Sequence, residues 1–186
     1  MAFIKLYRKK LEENYTFLNN IFISKNIKWG VVSKLLCGNK IYLKEIIALG
    51  VTEIHDSRVS NLRKIKVLDP NIQTVYIKPP AKRSIASIVK YADVSFNTEI
   101  YTIQMLSQEA EKQNKIHKII IMIEMGDLRE GVMGEDLVEF YGQVLSLPNI
   151  EIRGIGTNLN CLSGVMPTQD KLIQLSLYKQ LIEAKF

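Results

Sequence analysis

Apolar residues along this chain alternate between two spacings. Short β-branched runs stand at Trp29–Val32, Glu53–His55, Thr74–Ile77, Val94–Phe96, Lys118–Ile123 and Ile150–Ile155. They predict strands. The stretches between them repeat with helical period. Leu43, Ile46 and Ile47 share one face, as do Val59, Leu62, Ile65 and Leu68, and then Ile100, Ile103 and Leu106. Asn97-Thr98 offers a cap for the last of these helices. Gly134-Glu135-Asp136 predicts the start of a helix over Leu137–Leu147, with carboxylates at its positive end and Pro148 past its stop. Phe3–Asn26 reads as a short strand and then a helix carrying Leu11, Tyr15 and Leu18. A final helix runs from about Gln169 to Ala184.

Strand, turn and helix recur every 20–30 residues or so, the signature of βα units and a parallel sheet. Two α/β architectures fit: a doubly wound open sheet, or a (β/α)8 barrel. A barrel takes eight strands and typically ~250 residues, so six strands leave it two units short. The closing stretch "LYKQLIEAKF" stops within a helical pattern, without Gly or Pro. The expectation is one domain, cut short.

Composition narrows the function classes. The chain has 186 residues, 47% hydrophobic and 24% charged, as ordinary globular proteins do. No apolar run approaches the ~18 residues of a membrane span. The opening "MAFIKLYRKK" is too briefly apolar for a secretory signal. Two distant cysteines, Cys37 and Cys161, suit a reducing cytoplasm, and the two histidines show no metal-ligand spacing. The net charge of +6 is spread along the chain, which argues against a nucleic-acid surface.

In either architecture, chemistry sits beyond the carboxyl ends of the strands. Ser33, Lys34 and Cys37 follow the first main strand, and Asp56, Ser57 and Arg58 the second. Lys78, Lys82 and Arg83 come next, then Ser95 and Asn97, then Glu124, Asp127 and Arg129. Thr157, Asn158, Asn160 and Cys161 close the rim. Lys34 is either a solvated strand end or an amine lowered in pKa by apolar walls from Val31, Val32, Leu35 and Leu36. Spacing alone favours the solvated reading. Arg129, in "MGDLREGVMG", can fork onto a substrate carboxylate or onto one of the protein's own. Asn158 can bond a ligand or satisfy a turn. "KPPAKRS" reads as a solvated basic loop, and the methionines of "IMIEM" as core.

Taken in order, these segments resemble the alanine racemase-like family of pyridoxal phosphate enzymes. "FIKLYRKKLEENYTFL", with Asn14, looks like the family's opening, and "VVSKLLCGN" like its lysine motif. "EMGDLREGVMG" resembles its arginine segment through Gly126, Arg129 and Gly131. "GIGTNLNC" resembles the segment whose residue, here Asn158, flanks the cofactor ring. The resemblance covers essentially the whole chain and implies an incomplete (β/α)8 TIM-type barrel with about six of eight strands. It implies Lys34 as the Schiff-base and proton-transfer residue, Asn158 beside the ring, Arg129 on a substrate carboxylate, and no metal. The tyrosine that follows the lysine in alanine racemases is missing here, and Asn158 replaces their ring-flanking histidine. Both departures point to the ornithine-racemase branch, hence to a small basic amino acid as substrate, with ornithine favoured over alanine. A cytoplasmic homodimer in full-length form is implied, with no nucleic-acid or membrane partner. The closing strands, the phosphate-binding segment and the C-terminal domain are expected beyond residue 186, leaving this portion alone with little racemase activity. Two further readings stand beside this one: a non-catalytic pyridoxal phosphate-binding protein, and a cofactor-free binding module.

Overall fold

The computed structural model describes residues 5–160 and 164–186. Six strands form a parallel sheet in chain order: β1 (Val31–Val32), β2 (Glu53–Asp56), β3 (Gln73–Tyr76), β4 (Val94–Asn97), β5 (His117–Met122) and β6 (Ile150–Gly156). Helices α1 (Arg8–Ser24), α2 (Lys40–Ala48), α3 (Val59–Leu68), α4 (Ile85–Tyr91), α5 (Ile100–Lys112), α6 (Leu137–Leu145) and α7 (Gln169–Lys185) alternate with the strands. This is a (β/α) barrel pattern with six of eight strands, as expected. The chain divides into two compact units, residues 1–75 and 76–186.

In the first unit, β1 pairs with β2 in parallel, Val31 opposite Ile54 and Val32 opposite His55. Leu43 and Ile46 of α2, Ile54 of β2, and Leu62 and Ile65 of α3 make its core. Each lies on the face its spacing predicts. Helix α1 has no buried residue. It meets the body through Trp29, whose ring lies 5.2 Å from Phe22 and whose indole N–H donates to Asn19 Oδ1 at 3.2 Å. That use of Trp29 leaves β1 shorter than the predicted Trp29–Val32. The strand expected ahead of α1 falls partly on residues 1–4, outside the described residues, and residues 5–7 are not strand.

In the second unit, β4, β5 and β6 pair in parallel. Ser95 stands opposite Ile119, and Asn97 opposite Ile121. A register shift at Ile119/Ile120 brings Gly154 opposite Ile120 and Gly156 opposite Met122. One face of β5 carries Ile119 and Ile121, fully buried, with Ile103, Leu106 and Ala110 of α5 also at zero exposure. One local expectation is corrected. Asn97 does not cap α5: the capping position is Glu99, without a side-chain bond, and the Asn97 amide donates to the Ser95 backbone and hydroxyl. The basic stretch after β3 leads into α4, whose Ile85, Ile88 and Val89 are buried at i, i+3 and i+4.

Candidate functional site

In the first unit the chain leaves β1 through Ser33, at φ −92° and ψ 0°, and turns into a short 3-10 helix, Lys34–Leu36. Leu36 N–H donates to Ser33 O at 2.9 Å, and Cys37 closes the turn in the left-handed region at φ 51°. Asn39 then caps α2, its side chain accepting from Ile41 N–H at 2.9 Å. Lys34 therefore begins a tight turn rather than ending a strand. Its side chain is exposed and has no hydrogen-bond or ion-pair partner among the described residues. The apolar walls expected around it are open, since Leu35 is 87% and Val32 48% exposed.

Beneath that turn lies a polar cluster. Asp56, at the carboxyl end of β2, is 0% exposed. Its carboxyl accepts from Ser33 Oγ (2.9 Å) and from Arg58 N–H (2.9 Å), and each of its two oxygens accepts from Asn61 Nδ2 (3.1 and 3.2 Å). Sequence reasoning placed Ser33 and Asp56 on the rim and overlooked Asn61, which is also buried. The signal was present in "DSRVSN". An Asp two residues before a helix's capping position turns back onto the chain through an Asx bond, as Asp56 does in accepting from Arg58 N–H.

In the second unit the segment after β5 folds around Glu124. Its Oε1 accepts from the N–H groups of Gly126 (2.5 Å) and Leu128 (3.0 Å), and its Oε2 from Arg129 N–H (3.2 Å). Partial burial works to raise the Glu124 pKa, but these three donors outweigh it and hold the group below its ordinary value. Val132 returns to bridge Ile123 in parallel, so closely that a Cβ on Gly131 would lie 2.2 Å from Glu124 N. Only glycine fits there. Lys171 of α7 donates to Met125 O and so ties down the same loop.

Arg129 is exposed, and its guanidinium forks onto Glu130 at 2.5 Å through both Nε and Nη2. Asn158, two residues past β6, donates to the same Glu130 at 3.1 Å. The structure thus joins Arg129 and Asn158 through a carboxylate that the sequence reading left unassigned. Next to Asn158, Thr157 Oγ1 is buried without a hydrogen-bond partner among the described residues. The remaining candidates divide by exposure. Lys78, Lys82 and Arg83 are solvent-facing, whereas Ser95 and Asn97 lie inside. Ser95 Oγ meets His117 Nε2 at 2.8 Å, and burial lowers that histidine's pKa from 6.5 to about 4. Cys161 lies outside the described residues.

The family described as alanine racemase, N-terminal domain, matches residues 7–185. The chain belongs to that family. It is 40% identical over 167 residues to an ornithine racemase of Acetoanaerobium sticklandii, covering 89% of this chain and 47% of that protein. It is 26% identical to a lysine racemase of Thermotoga maritima, covering 94% of this chain and 49% of that one. It spans about half the length of these curated relatives. Among solved structures, PipY of Synechococcus elongatus with PLP (pyridoxal phosphate) bound superposes with TM-score 0.70 at 14% identity, covering 85% of this chain and 75% of PipY. An alanine racemase of Clostridium difficile gives the same score and identity over 93% of this chain and 47% of its own. These two likenesses speak for the fold. No helix among the described residues is long and apolar enough to cross a membrane.

Proposed function

We propose that this chain is the N-terminal, cofactor-binding portion of a pyridoxal phosphate-dependent racemase acting on a basic amino acid, ornithine before lysine or alanine. The 40% identity to an ornithine racemase along 89% of the chain is the observation that carries this reading. Coverage of 47% of that relative supports a longer protein containing the closing strands and a C-terminal domain. The relatives' activities likewise support a small amino-acid substrate. A homodimer of the full-length protein and a cytoplasmic setting complete the proposal.

The residues present fit the cofactor. Lys34 supplies an exposed primary amine at the start of the turn that follows β1, free of a competing partner among the described residues. In the second unit, Thr157 Oγ1, buried and without a partner among the described residues, is the kind of polar atom that a bound group would satisfy. Pyridoxal phosphate, when bound, withdraws electrons from the substrate Cα–H bond and makes that proton removable by an ordinary base. In this reading Lys34 Nζ would hold the cofactor and would take or return the Cα proton on one face. Asn158 would flank the ring. Arg129 serves a substrate carboxylate by exchanging its Glu130 partner for it, one fork for another.

The test is racemisation with solvent deuterium. The full-length protein should exchange the Cα hydrogen of ornithine faster than that of alanine, and Lys34→Ala should abolish exchange. Equal exchange of all amino acids, or none in the presence of cofactor, would overturn the substrate assignment. A second reading, a pyridoxal phosphate-binding protein without turnover, has support in the fold shared with PLP-bound PipY, which the chain covers to 75%. Cofactor binding without exchange of any amino acid would select it.

A further inference from the structure

We propose that Asp56 is a positioning residue for Lys34, acting through Ser33 and Asn61. The inference rests on the reading of Lys34 as the cofactor lysine. An exposed lysine side chain has many rotamers, and nothing among the described residues holds this one. Its placement therefore depends on the backbone that carries it.

That backbone is gripped from below at both ends of the turn. On the leading side, Ser33 is 1% exposed, and its N–H donates to His55 O at 2.8 Å. Its hydroxyl donates to Asp56 Oδ2 at 2.9 Å. The trailing end rests on Asn61. A Cβ at Gly38 would lie 2.4 Å from Asn61 Oδ1, so the turn sits directly on that amide, and Lys64 Nζ donates to Gly38 O at 3.2 Å. The Asn61 amide is itself fixed by donating to both oxygens of Asp56. One buried carboxyl thus sets the two supports between which Lys34 hangs.

Burial makes this grip strong. Asp56 is fully enclosed, and its hydrogen bonds go to Ser33, Arg58 and Asn61, with no cation paired to it among the described residues. Replacing the Asp56 carboxyl leaves Ser33 Oγ only its longer contact with His55 O, 3.3 Å, and takes an acceptor from the buried Asn61 amide, so the turn shifts to recover a bond. A shift of the Lys34 Cα is multiplied along its four-carbon stem. Groups held beneath a reactive side chain in this way set its geometry without touching the reacting atoms.

The experiment compares Ser33→Ala, Ser33→Thr and Asp56→Asn with the unaltered protein, using pyridoxal phosphate as the probe. Ser33→Ala and Asp56→Asn should keep the far-ultraviolet dichroism while their affinity for the probe falls about tenfold. The visible dichroism of the bound chromophore, which reports its orientation, should shrink. Amide exchange over residues 34–38 should speed up about tenfold. Ser33→Thr, which keeps the hydroxyl, should restore all three. A merely structural Asp56 would lower the melting temperature yet leave probe affinity and visible dichroism unchanged in the folded variants; that result overturns the proposal. Should Asp56→Asn not fold, Ser33→Ala decides by the same readouts. Should the unaltered protein take up no cofactor, the reading of Lys34 fails separately. Exchange over 34–38 then decides whether Asp56 anchors the turn, and unchanged rates in both variants reject it.

Discussion

The turn after β1 and the loop after β5 each present a cation at a strand end, yet they are held by opposite means. Around Lys34 the chain is anchored from inside, by a carboxyl with 0% exposure, while the lysine itself is unengaged among the described residues. Around Arg129 the anchor is a half-exposed carboxylate, Glu124, wrapped by backbone N–H groups, and the guanidinium is already engaged by Glu130. Buried polar groups are costly to disturb, whereas exposed ion pairs contribute little. The first turn is therefore built to keep one geometry, the second to exchange partners. A covalent attachment point needs the former property, and a carboxylate receptor the latter.

The sharpest way to break this contrast is Asp56→Ala. It takes the acceptor from the Asn61 amide and Arg58 N–H inside the first unit and leaves the Ser33 hydroxyl only its longer contact with His55 O, 3.3 Å, and should cost about 3 kcal/mol in chemical denaturation. A cost under ~1 kcal/mol would mean the cluster is not an anchor. Next comes acid, which probes the second unit's interior. His117 is buried next to Ser95, with its pKa lowered to about 4, so the unfolded chain binds the extra proton first as pH falls below 6.5. Stability should be full above pH 6.5 and decline toward pH 4, by about 3 kcal/mol from this residue. Denaturant titrations at several pH values check this, and His117→Gln should flatten the slope.

Glu124→Gln should have a smaller effect. The amide can still accept from some of the loop's donors, so a loss near 1 kcal/mol is expected, with faster amide exchange over residues 126–129. The Glu124 pKa is lowered in the folded chain. Its contribution is thus present above the ordinary carboxyl range and disappears as pH falls through its folded value. Arg129→Ala should change stability by less than ~1 kcal/mol, since its ion pair with Glu130 stays partly open to water. Its effect belongs instead to substrate affinity in the full-length protein, read as a raised KM. A stability loss as large as that of Asp56→Ala would erase the difference between the two strand ends.

Much of this was legible in the sequence, for physical reasons. Runs such as Val94–Phe96 are strands because β-branched and aromatic side chains fill a buried pleat. Val59, Leu62, Ile65 and Leu68 mark α3 because only helical spacing puts them on one side. Helix α4 was missed although Ile85, Ile88 and Val89 carry the same signal, since seven residues give too little period to outweigh the basic, proline-containing stretch before them. Lys34 stood out as a charge where an apolar run ends. What supports it did not, because the Ser33–Asp56 and Gly38–Asn61 contacts join residues more than twenty apart. Likewise, Glu130 as the shared partner of Arg129 and Asn158 depends on a contact across 28 positions. Local pattern reports elements, while tertiary hydrogen bonds need the fold.

The central claim is that Lys34 is the covalent attachment point for pyridoxal phosphate, and one titration tests it most directly. Adding the cofactor to the protein should produce a Schiff-base absorbance band, and borohydride followed by peptide mass analysis should locate the adduct on Lys34. Lys34→Ala should show neither. An undiminished band in Lys34→Ala, or an adduct mapped to another lysine, would contradict the account.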